Sequence, residues 1–210
     1  MRRNYKKKIV KMDLFSGFDQ NSNPSKPTIN GLTYLKNFIT QDQQRELIRI
    51  IDEQKWLNDL KRRVQHYGYK YDYKARRIDT SMYLGELPLW TKPLIQKFLS
   101  DNHFDVEPDQ LIINEYLPGQ GIANHIDCEP CFDDTVISIS LNSFCVMAFC
   151  NQMTKQKIPF LLEPCSAVVL KGESRYDWTH GIAARKSDSY NNQTYLRKRR
   201  ISLTFRRTIK

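Results

Sequence analysis

Asn114-Glu115-Tyr116-Leu117-Pro118-Gly119-Gln120-Gly121-Ile122-Ala123-Asn124-His125-Ile126-Asp127 is the stretch that decides the fold. Two β-prone runs flank a Pro118-Gly119 turn. The second run carries a histidine and an aspartate two residues apart. On a strand, residues i and i+2 share a face, so the His125 imidazole and the Asp127 carboxylate can serve one cation. Downstream the texture continues, with short β-rich runs at 110–116, 122–127, 135–141, 143–150, 158–162, 166–170, 176–182 and 200–206. Many short strands at regular spacing point to a sandwich or barrel. Upstream, Gly31 to Ile39 predicts a short strand. Thr40-x-x-Gln43 reads as a capping box opening a helix over 41–57, and Pro88 to Leu99 predicts a second helix. Tyr67, Tyr69, Tyr71 and Tyr73 fall at every second residue, a strand period that places four phenols on one face.

A third metal ligand has to come from elsewhere. Of the four histidines, His180 sits in another β-like run, Arg175-Tyr176-Asp177-Trp178-Thr179-His180. Two histidines and a carboxylate on one side of a metal form the facial triad used by non-haem Fe(II), which leaves positions open. A matched cationic strand lies near the end of the chain. In Arg200-Ile201-Ser202-Leu203-Thr204-Phe205-Arg206 the polar residues share one face and the apolar residues the other. Two inward guanidiniums need anionic compensation, and a dicarboxylate supplies it bidentately. The same strand could also lie at an exposed edge with solvated arginines.

Charge narrows the class further. The 210 residues carry a formal charge of +10. Residues 1–11 hold six basic residues and no acid; 61–77 hold seven against one, and 185–207 hold eight against one. The rest of the chain is net acidic. Clustered cations on an acidic body are the footprint of a phosphate-backbone binder, although single runs are commonly just solvated. No apolar run is long enough for a membrane span, and the basic start has no apolar stretch behind it to make a secretory signal. Five cysteines argue against a disulfide-stapled secreted scaffold and for a reducing compartment. Cys128-x-x-Cys131 alone is weak grounds for zinc, which needs four ligands, and cysteines beside a metal can be oxidation-sensitive. Cys145, Cys150 and Cys165 read as core residues.

The quoted stretch, together with Arg175-Tyr176-Asp177-Trp178-Thr179-His180-Gly181-Ile182 and Arg200-x-Ser-x-Thr-Phe-Arg206, resembles the AlkB family of Fe(II)/2-oxoglutarate-dependent dioxygenases. The blocks come in that family's order and cover about residues 65–207. Val64-Gln65-His66-Tyr67-Gly68-Tyr69 and Gly172-Glu173-Ser174-Arg175 resemble its tRNA wobble-uridine hydroxylase branch in particular.

The resemblance implies a mainly β fold with supporting α-helices: a double-stranded β-helix, or jelly roll, over about 110–207. It would carry an N-terminal helical extension and a nucleotide-recognition lid over about 61–85. Residues 31–210 would form one domain behind a basic flexible tail, 1–30. His125, Asp127 and His180 would hold Fe(II). Asn114 and Tyr116 would hydrogen-bond 2-oxoglutarate, Arg200 would pair with its distal carboxylate, and Arg206 would lie near its chelating end. Ser202 stands where many members have Asn.

The implied reaction uses O₂ and converts 2-oxoglutarate to succinate and CO₂ while hydroxylating a substrate C–H bond. A hydroxylated N-methyl group is lost as formaldehyde; a hydroxyl on a C5-linked uridine side chain stays. The favoured substrate is tRNA, with base demethylation in single-stranded DNA or RNA as the alternative. Protein or lipid oxidation, and a non-catalytic jelly roll, remain further from the motifs. Tyr67, Tyr69, Arg76, Arg77, Glu129 and Arg175 are the candidate substrate contacts. Glu129 stands where demethylating relatives place a base-recognising carboxylate. The chain shows neither the RNA-recognition module nor the methyltransferase of the multidomain wobble enzymes, so its basic segments or a partner would provide the tRNA grip. A monomer, cytoplasmic or nuclear, is expected.

Overall fold

The computed structural model describes residues 28–58 and 60–209. The basic run at the start of the expected tail therefore lies outside the described residues.

Two antiparallel sheets make the barrel. The larger holds six strands in the order β1 (Leu32–Leu35), β8 (Ser166–Leu170), β5 (Phe132–Leu141), β12 (Arg200–Thr208), β3 (Gln110–Tyr116) and β2 (Val64–Tyr67). The smaller holds β4 (Ile122–His125), β9 (Trp178–Ile182), β6 (Cys145–Asn151) and β7 (Lys157–Leu162). Two sheets of short antiparallel strands facing each other form the expected jelly roll.

The alternation within β12 and β3 sets the layers. Ile201, Leu203 and Phe205 of β12, with Leu111 and Ile113 of β3, turn to one face of the large sheet. There they meet α1 (Gln41–Asp52) and α2 (Lys92–Ser100) through Leu47, Ile51, Leu94, Ile95 and Phe98. Phe205 meets Phe98 edge-on, with ring centroids 5.1 Å apart. Each buried side chain of this size contributes about 1.5–3 kcal/mol, so this layer anchors the sheet. The opposite face of the same strands is polar and looks toward the small sheet.

The capping box forms. The Gln43 amide donates to the Thr40 hydroxyl at 3.1 Å, and the Gln43 side chain accepts from the Thr40 amide at 2.8 Å. The helix stops at Asp52, short of the expected residue 57, because Leu57 leaves to pair with Val64 as a β-bridge.

Two expectations need correction. First, the tyrosine row is not one strand. β2 ends at Tyr67, and Gly68 turns the chain with φ +75°; a Cβ there would lie 1.8 Å from the Asp109 carbonyl oxygen. The four tyrosines therefore do not share one face: Tyr67 packs on Trp90 and Tyr69 on Tyr83, while Tyr71 and Tyr73 stay together. Second, Arg175 is not on a strand: Glu173–Tyr176 is a helical turn, α3, before β9. The cation-rich residues 185–199 are folded back on themselves. They contain the hairpin β10 (Ser187–Tyr190) and β11 (Gln193–Leu196). Its two-residue turn is Asn191-Asn192, both at positive φ (49° and 60°), as a type I′ turn requires.

Candidate metal and 2-oxoglutarate site

Between the two sheets lies a cavity of about 360 Å³. The polar face of the large sheet supplies Asn114, Tyr116, Arg200, Ser202, Thr204 and Arg206 to its wall, and the small sheet supplies His125 and His180.

His125 and His180 are direct cross-strand partners in the β4–β9 pair, with a bulge between Ile122 and His125. Their rings lie 4.5 Å apart. The bulge presses Asn124 onto β9, and only glycine fits opposite it: a Cβ on Gly181 would lie 2.2 Å from the Asn124 side-chain oxygen. Asp127 follows just past the end of β4 and brings Oδ2 to 3.6 Å from His180 Nε2. One ligand atom from each of the three residues falls within 4.8 Å of the others. The i, i+2 reading of His125 and Asp127 thus meets in space, although Asp127 lies beyond the strand proper.

The protonation states suit a cation. His125 Nδ1 donates to the Ala123 carbonyl at 2.9 Å, which leaves Nε2 as the ligand atom. Burial, reinforced by the neighbouring His125, pushes His180 down to about 3, so it stands as a neutral imidazole. Burial would raise the Asp127 carboxyl, but the Arg206 guanidinium beside it, together with His180, His125 and Arg175, outweighs burial and holds it well below the usual carboxylate range. Arg206 donates Nε and Nη2 to Asp127 Oδ1 at 2.9 and 2.5 Å, and Nη1 to Gln110 at 3.1 Å. One carboxylate oxygen is therefore fixed by arginine and the other is turned toward the histidines. Donors of two imidazoles and one carboxylate fit Fe(II).

The far end of the cavity fits a carboxylate. Arg200 is buried, Nη2 donates to Ser140 at 2.7 Å, and Nε meets no partner among the described residues. A buried guanidinium N–H without an acceptor is costly, and an anionic oxygen would satisfy it. Tyr116 lies beneath the Arg200 guanidinium at 5.5 Å, and on β12 and β3 Arg200 is its register partner. Asn114 Oδ1 accepts from Arg62 Nε at 2.7 Å.

The substrate candidates divide. Arg76 lines the cavity, and so do Tyr71 and Tyr73; the Tyr73 hydroxyl is buried without a hydrogen-bond partner. Tyr67 instead packs edge-on against Trp90, and Tyr69 is buried against Tyr83. Arg77 is exposed, 3.8 Å from Asp79, and Glu129 is exposed; neither lines the cavity. Arg175 is 2% exposed and donates to the backbone carbonyls of Asp127, Cys128 and Phe132. It holds the loop behind the metal ligands and does not face the cavity. Cys128 and Cys131 are joined in a disulfide, with Cα atoms 5.2 Å apart, so the pair offers no zinc ligands.

Sequence reading missed Arg62, which reaches Asn114 from two residues before β2, and Ser140. For Ser140 the signal was available: Ser138 and Ser140 are polar at period two within an apolar strand, and both belong to the cavity side of β5.

Comparison with known proteins agrees with this geometry. The model of the 2OG-Fe(II) oxygenase superfamily matches residues 53–206. The chain is 34% identical over 183 residues to an uncharacterized protein, L905, of Acanthamoeba polyphaga mimivirus, covering 87% of each. It is 34% identical to the Arabidopsis thaliana alkylated DNA repair protein ALKBH8 homolog (87% of this chain, 60% of that one). It is 37% identical to the Macaca fascicularis tRNA (carboxymethyluridine(34)-5-O)-methyltransferase ALKBH8, but spans only 25% of that protein against 76% of its own length. The solved structure of OsALKBH1 shares the fold, with a TM-score of 0.65 at 19% identity over 84% of this chain and 96% of that one. Among the described residues no helix is long and apolar enough to cross a membrane. The chain belongs to the 2OG-Fe(II) oxygenase superfamily and, within it, to the AlkB family, as a dioxygenase using Fe(II), 2-oxoglutarate and O₂.

Proposed function

We propose that this chain oxidises a modified base in nucleic acid, with a wobble-uridine side chain of tRNA as the substrate. His125, Asp127 and His180 would hold Fe(II); Asn114, Tyr116, Arg200 and Ser202 would hold 2-oxoglutarate. The bound group supplies oxidation of an unactivated C–H bond, with 2-oxoglutarate leaving as succinate and CO₂.

The remaining work is positional. Arg206 keeps the Asp127 carboxylate charged and turned toward the metal position. Arg200 pairs with the distal carboxylate of the cosubstrate, and the walls of the cavity limit water at the reacting carbon. Tyr71, Tyr73 and Arg76 stand at the lid side, where a base taken out of its stack would enter.

The observation that carries the tRNA reading is the likeness to ALKBH8-type proteins, joined to a lid whose aromatic and cationic groups reach the metal cavity. A second reading, N-demethylation, is supported by 29% identity to the Caenorhabditis elegans DNA N6-methyl adenine demethylase. Exposure of Glu129 outside the cavity weighs against it. Nucleoside mass spectrometry on tRNA incubated with the enzyme and its cosubstrates separates the two. A hydroxylated uridine supports the first, loss of a methylated base supports the second, and no change in any nucleoside defeats both.

A further inference from the structure

A second cleft, of about 400 Å³, opens beside the metal cavity and shares Leu60 and Arg62 with it as a common wall. Its polar lining is Asn58, Lys61, Arg62, Arg63, Arg199, Glu115 and Gln120.

The charges in it are unevenly spent. Glu115 is 2% exposed and takes Arg63 Nε and Nη2 at 2.6 and 2.7 Å, and Arg199 Nε at 2.6 Å. The rest of Arg199 turns back to Asp52, with one contact at 2.8 Å. Glu115 is thereby satisfied, and it fixes the two arginines in place. Arg63 is held further by Trp56, whose ring lies 4.9 Å beneath its guanidinium. Gln120 Nε2 donates to the Lys61 carbonyl at 2.8 Å and so fixes the backbone at the rim. What is left over is cationic. Among the described residues, Lys61 Nζ, Arg63 Nη1 and both Nη atoms of Arg62 meet no acceptor.

Lys61 and Arg62, without an acid partner among the described residues, and the outward Nη1 of the Glu115-paired Arg63 face one cleft on a pre-set frame, and match a group with several anionic oxygens at one centre. Their place decides which one. Arg62 faces both spaces, and in a nucleotide a single sugar joins the base to its phosphate. We infer that the cleft of Lys61, Arg62 and Arg63 is a phosphodiester-binding subsite for the strand whose base enters the metal cavity. This rests on the nucleic-acid reading and gives it a location: the strand passes by the C-terminal end of β3.

The test is the salt dependence of binding of a short single-stranded RNA, read by fluorescence anisotropy, for the wild type, Lys61→Gln and Lys157→Gln. Lys61 is exposed and contributes only its backbone to the fold, so its replacement leaves the fold intact. Lys157 is an equally exposed lysine on the outer strand of the small sheet. Losing one phosphate contact on a single strand flattens the plot of log affinity against log salt by about 0.7. Lys61→Gln is expected to do so, and Lys157→Gln to leave the slope alone. In the wild type, one uncharged methylphosphonate linkage at the contacted position should give the same flattening, with no further change in Lys61→Gln. Equal slopes for wild type and Lys61→Gln, or equal flattening by Lys157→Gln, overturn the subsite while leaving the proposed function standing. A wild-type chain that binds no nucleic acid at all overturns both.

Discussion

Residues 61–77 and 185–207 look alike as sequence, each a run of cations with a single acid, yet the fold spends them in opposite ways. In the later segment, Arg185 and Arg197 close on the buried Asp188, Arg199 on Asp52 and Glu115, and Arg206 on Asp127. Only one buried arginine there, Arg200, keeps an unspent nitrogen, and it points into the cavity. In the earlier segment Arg63 is paired, but Lys61, Lys70, Lys74, Arg76 and Arg77 stay at the surface. A charge count therefore overstates the nucleic-acid footprint; what matters is the number of cations the fold leaves without an acid.

The contrast can be broken at several points. The strongest lies at Asp127, where the later segment meets the metal position. Asp127→Ala removes a ligand and strands Arg206, so succinate formation from 2-oxoglutarate should fall by more than about a hundredfold. An unchanged rate would remove the metal assignment. Next comes Arg200. If its unspent nitrogen serves the cosubstrate, Arg200→Met should raise the KM for 2-oxoglutarate about tenfold to a hundredfold, the worth of a charge-assisted hydrogen bond. A KM within twofold of wild type would make Arg200 merely structural.

Stability distinguishes the segments next. Asp188→Asn leaves Arg197 buried and uncompensated, and the urea midpoint should drop by the equivalent of about 3 kcal/mol. The pH dependence has a definite sign. Burial alone would raise the Glu115 and Asp188 carboxyls, but hydrogen bonds from their arginines hold both below the ordinary range. Their contribution is whole above the unfolded pKa of about 4 and is lost as pH falls through the depressed folded values. Urea midpoints measured downward from pH 6 should thus hold and then fall below about 4, less steeply in Asp188→Asn. A midpoint that rises on acidification would contradict this. The smallest effect belongs to the lid: Arg77→Gln should change stability by less than about 0.5 kcal/mol. If Arg77 touches the substrate strand, the same change flattens the salt slope of RNA binding by about 0.7.

Legibility followed local geometry. β12 was readable because seven residues alternate cleanly and both faces are used, one on the helices and one on the cavity. His125 and His180 were readable as residue types, but not as register partners, since pairing across 55 positions is a property of the sheet. The tyrosine alternation misled because one residue, Gly68, leaves the strand conformation and the period continues through a turn. Arg175 misled because a buried cation and an exposed one have the same letter. The β10–β11 hairpin had a local signal, Asn191-Asn192, which the surrounding charge obscured.

Arg175 has a consequence for how metal loss should look. It sits inside a ring of backbone carbonyls from Asp127, Cys128 and Phe132, as a structural calcium sits in its loop. This organising cation is covalently part of the chain, so a chelator cannot take it away. Stripping the enzyme of iron should leave the ledge that carries Asp127 in its working shape, ready to be reloaded.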